Sequence, residues 1–449
     1  MFWFCKFLHN FSLFILIFLS FFLFFFNYLY MNYFFLIFLM LFFFPFFFLT
    51  NFNFFFLSKN FFLSYDTFSF VLMVLTFWIV LLSLMSSFYL FKMLFSWFFF
   101  LSFFFLTFFL CFFFMSSNLF FFFFFFESTL IPTFLIVIGW GMNIERIQSS
   151  LYLFYYTLFS SMPMLVSIFY LSSMNNSLFF SFMWGGYMSL CYFFLIFSFL
   201  VKMPMFLLHS WLPKAHVEAP ISGSMILAGI LLKMGGYGIF RLYDLFKSFF
   251  LFNSIFMYIS IWGGTLMSLV CLRQSDLKSL IAFSSVAHMS IVILGLMIFN
   301  DMGLKGSLMM MLAHGLCSSC MFFLANVIYE RSGTRSIFLN KGLMNLYPSY
   351  SLWWFFFCSF NMACPPSLNL ISEIYIFIAS VSWMFFFCFF MMLLSFFGGA
   401  YNLFLFSLTN HGKVSSLINF FNSLSIRENL IVYKHFFPLM FLFLKMDFF

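Results

Sequence analysis

Polar residues are sparse along this chain, and the intervals between them are the first clue to its fold. Apolar runs of about twenty residues follow one another from end to end, each long enough to cross a hydrocarbon core roughly 30 Å thick. Stretches such as Phe120–Phe126 are apolar at consecutive positions, which excludes the alternation of a membrane-spanning β-strand. Backbone groups in lipid must be satisfied within their own segment, so the runs predict helices. The expected spans lie near 2–26, 28–57, 66–91, 93–115, 118–140, 149–171, 184–207, 216–240, 248–271, 276–299, 303–328, 347–378, 380–408 and 430–446. The fold class is therefore an all-α polytopic membrane protein with about 14 transmembrane helices. The first run is too long, and lacks the small-residue cleavage site, for a secretory signal.

Composition strengthens this picture. Hydrophobic residues make up 65% of the chain and charged residues only 7%, with a mean hydropathy of +1.13. A soluble domain carries roughly 25% charged residues, so water is not the main solvent of this surface. The 95 phenylalanines read as lipid-facing filler, because lipid does not discriminate among apolar side chains. Nineteen basic against 11 acidic residues give a net charge of +8. The excess is spread over loops rather than gathered in an arm, so it marks topology and argues against a nucleic-acid partner. The more basic set of loops, with Arg146, Arg331, Arg335 and Lys341, should face the compartment of synthesis, with both termini opposite. Lys278 is read as part of that loop set.

Against this background the ionisable residues inside predicted spans stand out: Glu127, Lys202, Lys233, His288, His314 and Glu373. Each charge at a helix centre costs about 2.5–3.5 kcal/mol on insertion scales. The four charges must face one another, water or a neighbouring subunit. One such residue reads as a buried ion pair; six, spread over spans 5, 7, 8, 10, 11 and 12, read as a proton relay. Pro204 lies two residues past Lys202, and Pro365 and Pro366 shortly precede Glu373. Proline frees the carbonyl four residues earlier and kinks a helix, so spans 7 and 12 should be broken. Two inverted five-helix repeats, helices 4–8 and 9–13, follow from that layout. Pro132 should bend span 5 just past Glu127. Cys317 and Cys320 form a C-x-x-C within an apolar run and read as ordinary buried cysteines. Gly235, Gly236 and Gly238 lack the Lys-Ser/Thr of a phosphate loop and suit close helix packing. No dinucleotide, flavin or iron–sulfur pattern is present, so no cofactor is expected in this chain.

The segments carrying these residues resemble a known family. VKMPMFLLHSWLPKAHVEAPISGSMILAGILLKMGGY at 201–237 is similar to the subunit 4 family of mitochondrial NADH:ubiquinone oxidoreductase (respiratory complex I), in an arthropod-like form. So are ESTLIPTF at 127–134, LRQSDLKSLIAFSSVAHM at 272–289, AHGLCSSCMFFLANVIYERSGTRS at 313–336 and PPSLNLISEIY at 365–375. The resemblance runs from about 120 to 410. It implies a proton-translocating membrane-arm subunit related to the Mrp-type antiporters, in the mitochondrial inner membrane with both termini toward the intermembrane space. Partners would be other membrane-arm subunits and lipids, with NADH, FMN, iron–sulfur clusters and ubiquinone held or used by other subunits. It further implies that Glu127 pairs with Lys202, that Lys233 is the central lysine, that His288 and His314 line the axis, and that Glu373 serves the exit. Ser372 stands where the family usually has Gly, and Ser210 falls where Leu is common. Under this resemblance residues 1–92 carry the first three helices, 93–247 the first repeat, 248–410 the second and 411–449 the last helix. A free-standing cation/proton antiporter of the same fold is the alternative.

Overall fold

The computed structural model describes residues 66–90, 95–175, 177–180, 189–414 and 424–444, all within one compact unit, Leu57–Phe449. The spans expected at 2–26 and 28–57 lie outside the described residues. Those described form helices α1 (Thr67–Ser86), α2 (Ser96–Met115), α3 (Leu119–Ser128), α4 (Leu130–Trp140), α5 (Arg146–Asn175), α6 (Ser189–Lys202) and α7 (Trp211–Glu218). Next come α8 (Ile221–Arg241), α9 (Phe250–Cys271), α10 (Leu277–Met297) and α11 (Asp301–Ser332). The last four are α12 (Pro348–Asn361), α13 (Leu368–Trp383), α14 (Phe386–Asn410) and α15 (Ile426–Phe443). Among the described residues there is no β-strand, only two isolated bridges. Nine helices there, counting α3 and α4 as one, are long and apolar enough to cross a membrane.

The surface is apolar in a way only lipid tolerates. On α14, Phe389, Phe396 and Leu403 repeat at seven-residue spacing and are all more than half exposed. The opposite face of α14 buries Phe387, Met391, Leu394, Tyr401 and Leu405. Its outer stripe is thus as apolar as its inner one, and the inner one carries the polar groups. Serine and threonine survive in these helices by bonding back to carbonyls three residues earlier, as Ser83 to Val80 (2.8 Å) and Ser284 to Ile281 (2.8 Å).

Three helices form the centre. Residues Ile221–Ile239 of α8, Ser284–Ile298 of α10 and Gly306–Ile328 of α11 are buried without interruption. α11 packs against α10, α13, α8, α12, α15 and α1. The glycines of α8 allow this density: a Cβ on Gly235 would come within 2.7 Å of the Phe199 carbonyl, and one on Gly236 within 2.6 Å of Met311 Sδ.

Both expected breaks are present, and proline chemistry accounts for the first. Pro204 has no N–H to return to Leu200; the Leu200 carbonyl is taken instead by Met205 N at 3.2 Å, one residue further on. α6 ends at Lys202, residues 203–210 run through turns, and α7 resumes at Trp211. The Trp211 indole donates to the Val201 carbonyl (3.1 Å), closing another orphan of the broken end. The run expected as one span at 347–378 is two helices, α12 and α13, separated at 362–367 around Pro365 and Pro366. Asn369 Nδ2 donates to the Phe360 carbonyl (2.7 Å) across that gap. α7 is a correction: residues 216–218, expected at the start of span 8, belong to the short helix before it. Span 5 is interrupted at Thr129 as Pro132 requires, since the carbonyl proline leaves free is that of Ser128.

Candidate functional site

The six ionisable residues read from the sequence lie on α3, α6, α8, α10, α11 and α13. Lys202, at the C-terminal end of α6, is 4% exposed. Its Nζ donates to the Phe126 carbonyl of α3 at 2.8 Å and stands 3.2 Å from the centre of the Phe126 ring. That carbonyl also accepts from the Thr129 hydroxyl (2.9 Å) at the interruption of span 5. The break in one helix thus meets the break in another.

Glu127 adjoins this seat but does not close on it. Both its carboxylate oxygens are buried without a hydrogen-bond partner. Lys202 is the charge that acts on it, and the Ser161 hydroxyl of α5 is the dipole beside it. Glu127 and Lys202, expected to pair directly or through one water, form no direct ion pair in this structure: the lysine has taken the neighbouring carbonyl and still acts on the carboxylate by its charge. A backbone carbonyl needs no charge of its own and accepts from charged and neutral amine alike.

Lys233 lies at the centre of the molecule with no exposure. It follows a π-helical turn, Leu227–Leu231, which widens the backbone. Lys233 Nζ donates to the Ala228 carbonyl of that turn and lies 3.1 Å from His314 Nδ1 on α11. The His314 and His288 rings are 5.5 Å apart, centre to centre. His288 Nε2 is 3.1 Å from the Tyr401 hydroxyl of α14. Lys233, His314, His288 and Tyr401 are each 3% exposed or less, and they follow one another from α8 through α11 and α10 to α14, with a ring contact but no hydrogen bond between the two histidines. Beside its far end, Asn361 Nδ2 donates to Asn402 Oδ1 (3.0 Å), and Asn402 donates to the Gly398 carbonyl (2.9 Å).

Glu373 on α13 is half-buried, and among the described residues it forms no hydrogen bond or ion pair. Its charge reaches Tyr401. Neighbouring Ser372 donates to the Asn369 carbonyl (2.6 Å) and contacts Met310 Sδ (3.1 Å). The serine that departs from the family pattern therefore packs inward against α11.

Three groups were not singled out by their place in the sequence. Tyr401 looked like one more aromatic in an apolar run. His216, on α7, is fully buried with both ring nitrogens unpartnered, stacked on Phe322 at 4.6 Å. Lys278, assigned to a loop, is instead in the first turn of α10, 2% exposed, with Nζ 3.4 Å from the Ala219 carbonyl. A signal existed for His216: the string H-V-E at 216–218 puts an imidazole and a carboxylate on one short helix. Glu218 there accepts from Asn143 Nδ2 (3.1 Å), and Lys278 and Lys233 are the charges nearest His216. Cys317 and Cys320 are buried, and Cys317 points at the Phe357 carbonyl (3.4 Å). Among the described residues no group of three His, Cys, Asp or Glu side chains could hold a metal ion.

A buried line of titratable side chains threaded between two broken helices defines a class of membrane proteins that move protons or cations, and the comparisons agree. The family model for the NADH:quinone oxidoreductase/Mrp antiporter transmembrane region matches residues 116–398, so the chain belongs to that family. Within it, the chain is 51% identical over 330 residues to NADH-ubiquinone oxidoreductase chain 4 of Aedes aegypti, covering 72% of this chain and 73% of the relative. It is 51% identical over 336 residues to the chain 4 of Ceratitis capitata, covering 74% and 75%. In fold it matches a chain of respiratory complex I from Thermus thermophilus, with a TM-score of 0.74, 20% identity and coverage of 84% and 81%. It also matches a chain of the Mrp complex from Dietzia, with a TM-score of 0.72, 17% identity and coverage of 78% and 67%.

Proposed function

We propose that this chain is a proton-translocating membrane-arm subunit of NADH:ubiquinone oxidoreductase, coupling electron transfer in other subunits to proton movement. One observation carries the reading. Lys233, His314, His288 and Tyr401 form a buried line of proton-exchanging groups, hydrogen-bonded at both ends and joined in the middle by two imidazole rings 5.5 Å apart, yet none of them has an acidic partner among the described residues. A line built only to hold helices together would be neutralised along its length.

In the proposed cycle, electron transfer elsewhere draws Lys202 between the Phe126 carbonyl and the Glu127 carboxylate. That change in charge position alters how firmly Lys233 holds its proton. The proton then passes through His314 and His288 toward Glu373. Each proton moved against 100 mV requires about 2.3 kcal/mol, which the distant reaction must supply. His216, Glu218 and Lys278 lie on the α7 side of Lys233 and are placed to refill it.

The helices divide, in this proposal, into inverted repeats at 93–247 and 248–410. Pro204 and the Pro365–Pro366 pair mark matching breaks. Both termini face the intermembrane space of the mitochondrial inner membrane. NADH, FMN, iron–sulfur clusters and ubiquinone belong to partner subunits, and this chain holds none. Glu373, half-buried and unpartnered, is open toward a neighbouring antiporter-like subunit.

The test replaces Glu127 by Gln, which keeps shape and removes the charge. Measured together, NADH:quinone turnover and proton uptake in vesicles should both fall while native gels show full assembly. A free-standing antiporter would lose ion exchange and leave NADH oxidation unchanged. A passive spacer would lose neither, and normal pumping in an assembled Glu127→Gln complex removes Glu127 from the mechanism.

A further inference from the structure

The line from Lys233 reaches His288, but the exit carboxylate Glu373 has no hydrogen bond to either histidine. We propose that Tyr401 is the relay that joins them, so that the proton leaves His288 through the Tyr401 hydroxyl. This rests on the proton-translocation reading above and adds to it the missing step.

The geometry is specific. Tyr401 is 1% exposed, and its hydroxyl is 3.1 Å from His288 Nε2, within hydrogen-bond reach for transfer. A phenol can donate and accept at once, whereas a phenylalanine can do neither. Glu373 is among the charges felt at Tyr401. The ring is also held in place from its own helix and from α12. Asn402, the next residue on α14, bonds Asn361 and the Gly398 carbonyl. Asn361 lies in turn beside His288. Two buried amides, 3% and 0% exposed, are costly among apolar helices unless they secure something. Here they fix the register of α14 against α12 so that residue 401 meets residue 288.

The step balances. Protonated His288 gives its Nε2 proton to the Tyr401 oxygen as the Tyr401 O–H proton passes through intervening water to the Glu373 carboxylate. One O–H bond forms on the phenol and one breaks. His288 ends neutral, Tyr401 ends as a phenol again, and Glu373 ends as a carboxylic acid. No oxidant, reductant or further reactant is consumed.

Tyr401→Phe removes the hydroxyl alone and keeps the ring. In the assembled complex, proton uptake and coupled NADH:quinone turnover should each fall on the order of tenfold or more, approaching the roughly hundredfold scale of a lost proton-transfer group. The ratio of turnover in H2O to that in D2O should rise, because the slow step becomes proton delivery. Tyr401→His restores a group that can donate and accept, and it should recover part of the lost rate. Equal losses in Tyr401→Phe and Tyr401→His assign residue 401 to packing and overturn the proposal. So does a Tyr401→Phe chain that never enters the complex, since the hydroxyl is then structural. Lys233→Met separates the two levels of inference. If it abolishes pumping while Tyr401→Phe pumps normally, the relay assignment alone fails. If both pump normally, the proton-translocation reading fails with it.

Discussion

Charged residues near the ends of the membrane spans and charged residues inside the spans are treated in opposite ways. At one end, Arg241 of α8 is ion-paired with Asp66, the residue that caps α1, and its Nε bonds the Tyr237 hydroxyl at 2.5 Å. At the start of α15, Glu428 pairs with Arg331 of α11 at 2.8 Å and closes a capping box with Ser425. These are charges met by counter-charges, and they tie α8 to α1 and α15 to α11. In the middle, Lys202 is held by a carbonyl and a ring, Lys233 by a carbonyl and an imidazole, and Glu127 has the Ser161 hydroxyl beside it and no ion pair. A group that holds helices together gains from permanent neutralisation. A group that must bind and release a proton needs neighbours that tolerate both of its states. Carbonyls and imidazoles do; a fixed opposite charge does not.

Experiments can break that contrast, and the largest effect should come from the middle. Lys233→Met keeps most of the side-chain volume and removes the proton-carrying group. Proton uptake and NADH:quinone turnover per assembled complex should drop on the order of a hundredfold, with native gels showing normal assembly. Turnover within about twofold of the parent, far short of a lost proton-transfer group, would mean that the buried line is structural after all.

Arg241→Leu should act on stability instead. It strands Asp66, whose side chain is only partly exposed, and leaving a partly buried charge without its partner costs on the order of 1–3 kcal/mol. The thermal midpoint of the complex, or its yield, should fall, while turnover per intact complex stays the same. Adding Asp66→Leu should restore much of the loss, because two apolar residues leave no charge stranded. A turnover defect that persists in the double variant would place this pair in the proton path.

Glu428→Ala removes the bond from Ser425 N to the Glu428 carboxylate and the contact to Arg331, and leaves the Ser425 cap on the residue 428 N–H in place. It should cost about 1 kcal/mol, visible as faster hydrogen exchange in the first turns of α15 with no change in pumping. Smallest of all, Trp211→Phe deletes the indole bond to the Val201 carbonyl, a net loss of about 1 kcal/mol or less. Its readout is the α6–α7 break: exchange of the backbone around residues 203–210 should quicken, and turnover should fall by no more than a few-fold.

The sequence was most informative where a residue type conflicts with its solvent. Lys202, Lys233, His288 and His314 could be picked out because lipid excludes them, and all four are buried. Pro204 and the Pro365–Pro366 pair fall at both breaks, where the missing N–H leaves a carbonyl free, although proline alone does not decide it: Pro163 lies inside the continuous α5 and Pro438 inside α15. What stayed hidden was whatever the apolar background conceals. Tyr401 differs from its phenylalanine neighbours by one oxygen, and no periodicity distinguishes a tyrosine facing a histidine from one facing lipid. Lys278 lay at a predicted boundary, where boundaries are uncertain by several residues, and passed for a loop cation. The Glu127–Lys202 distance was also out of reach. Opposite signs suggest an ion pair, but the winner was the Phe126 carbonyl, an acceptor every residue carries.

An α-helix turns about 100° per residue. The extra residue absorbed by the wide turn at Leu227–Leu231 therefore rotates the second half of α8 by about that angle relative to the first. Before the turn, Ile221–Ile226 faces α1; after it, Lys233 faces His314, and Gly235 and Gly238 abut Phe199 of α6. A regular helix could aim only one of these two halves correctly. Removing one residue from the turn would leave every charge unchanged, yet it would swing the lysine more than a quarter of a revolution away from its histidine. What those five residues encode is angular phase.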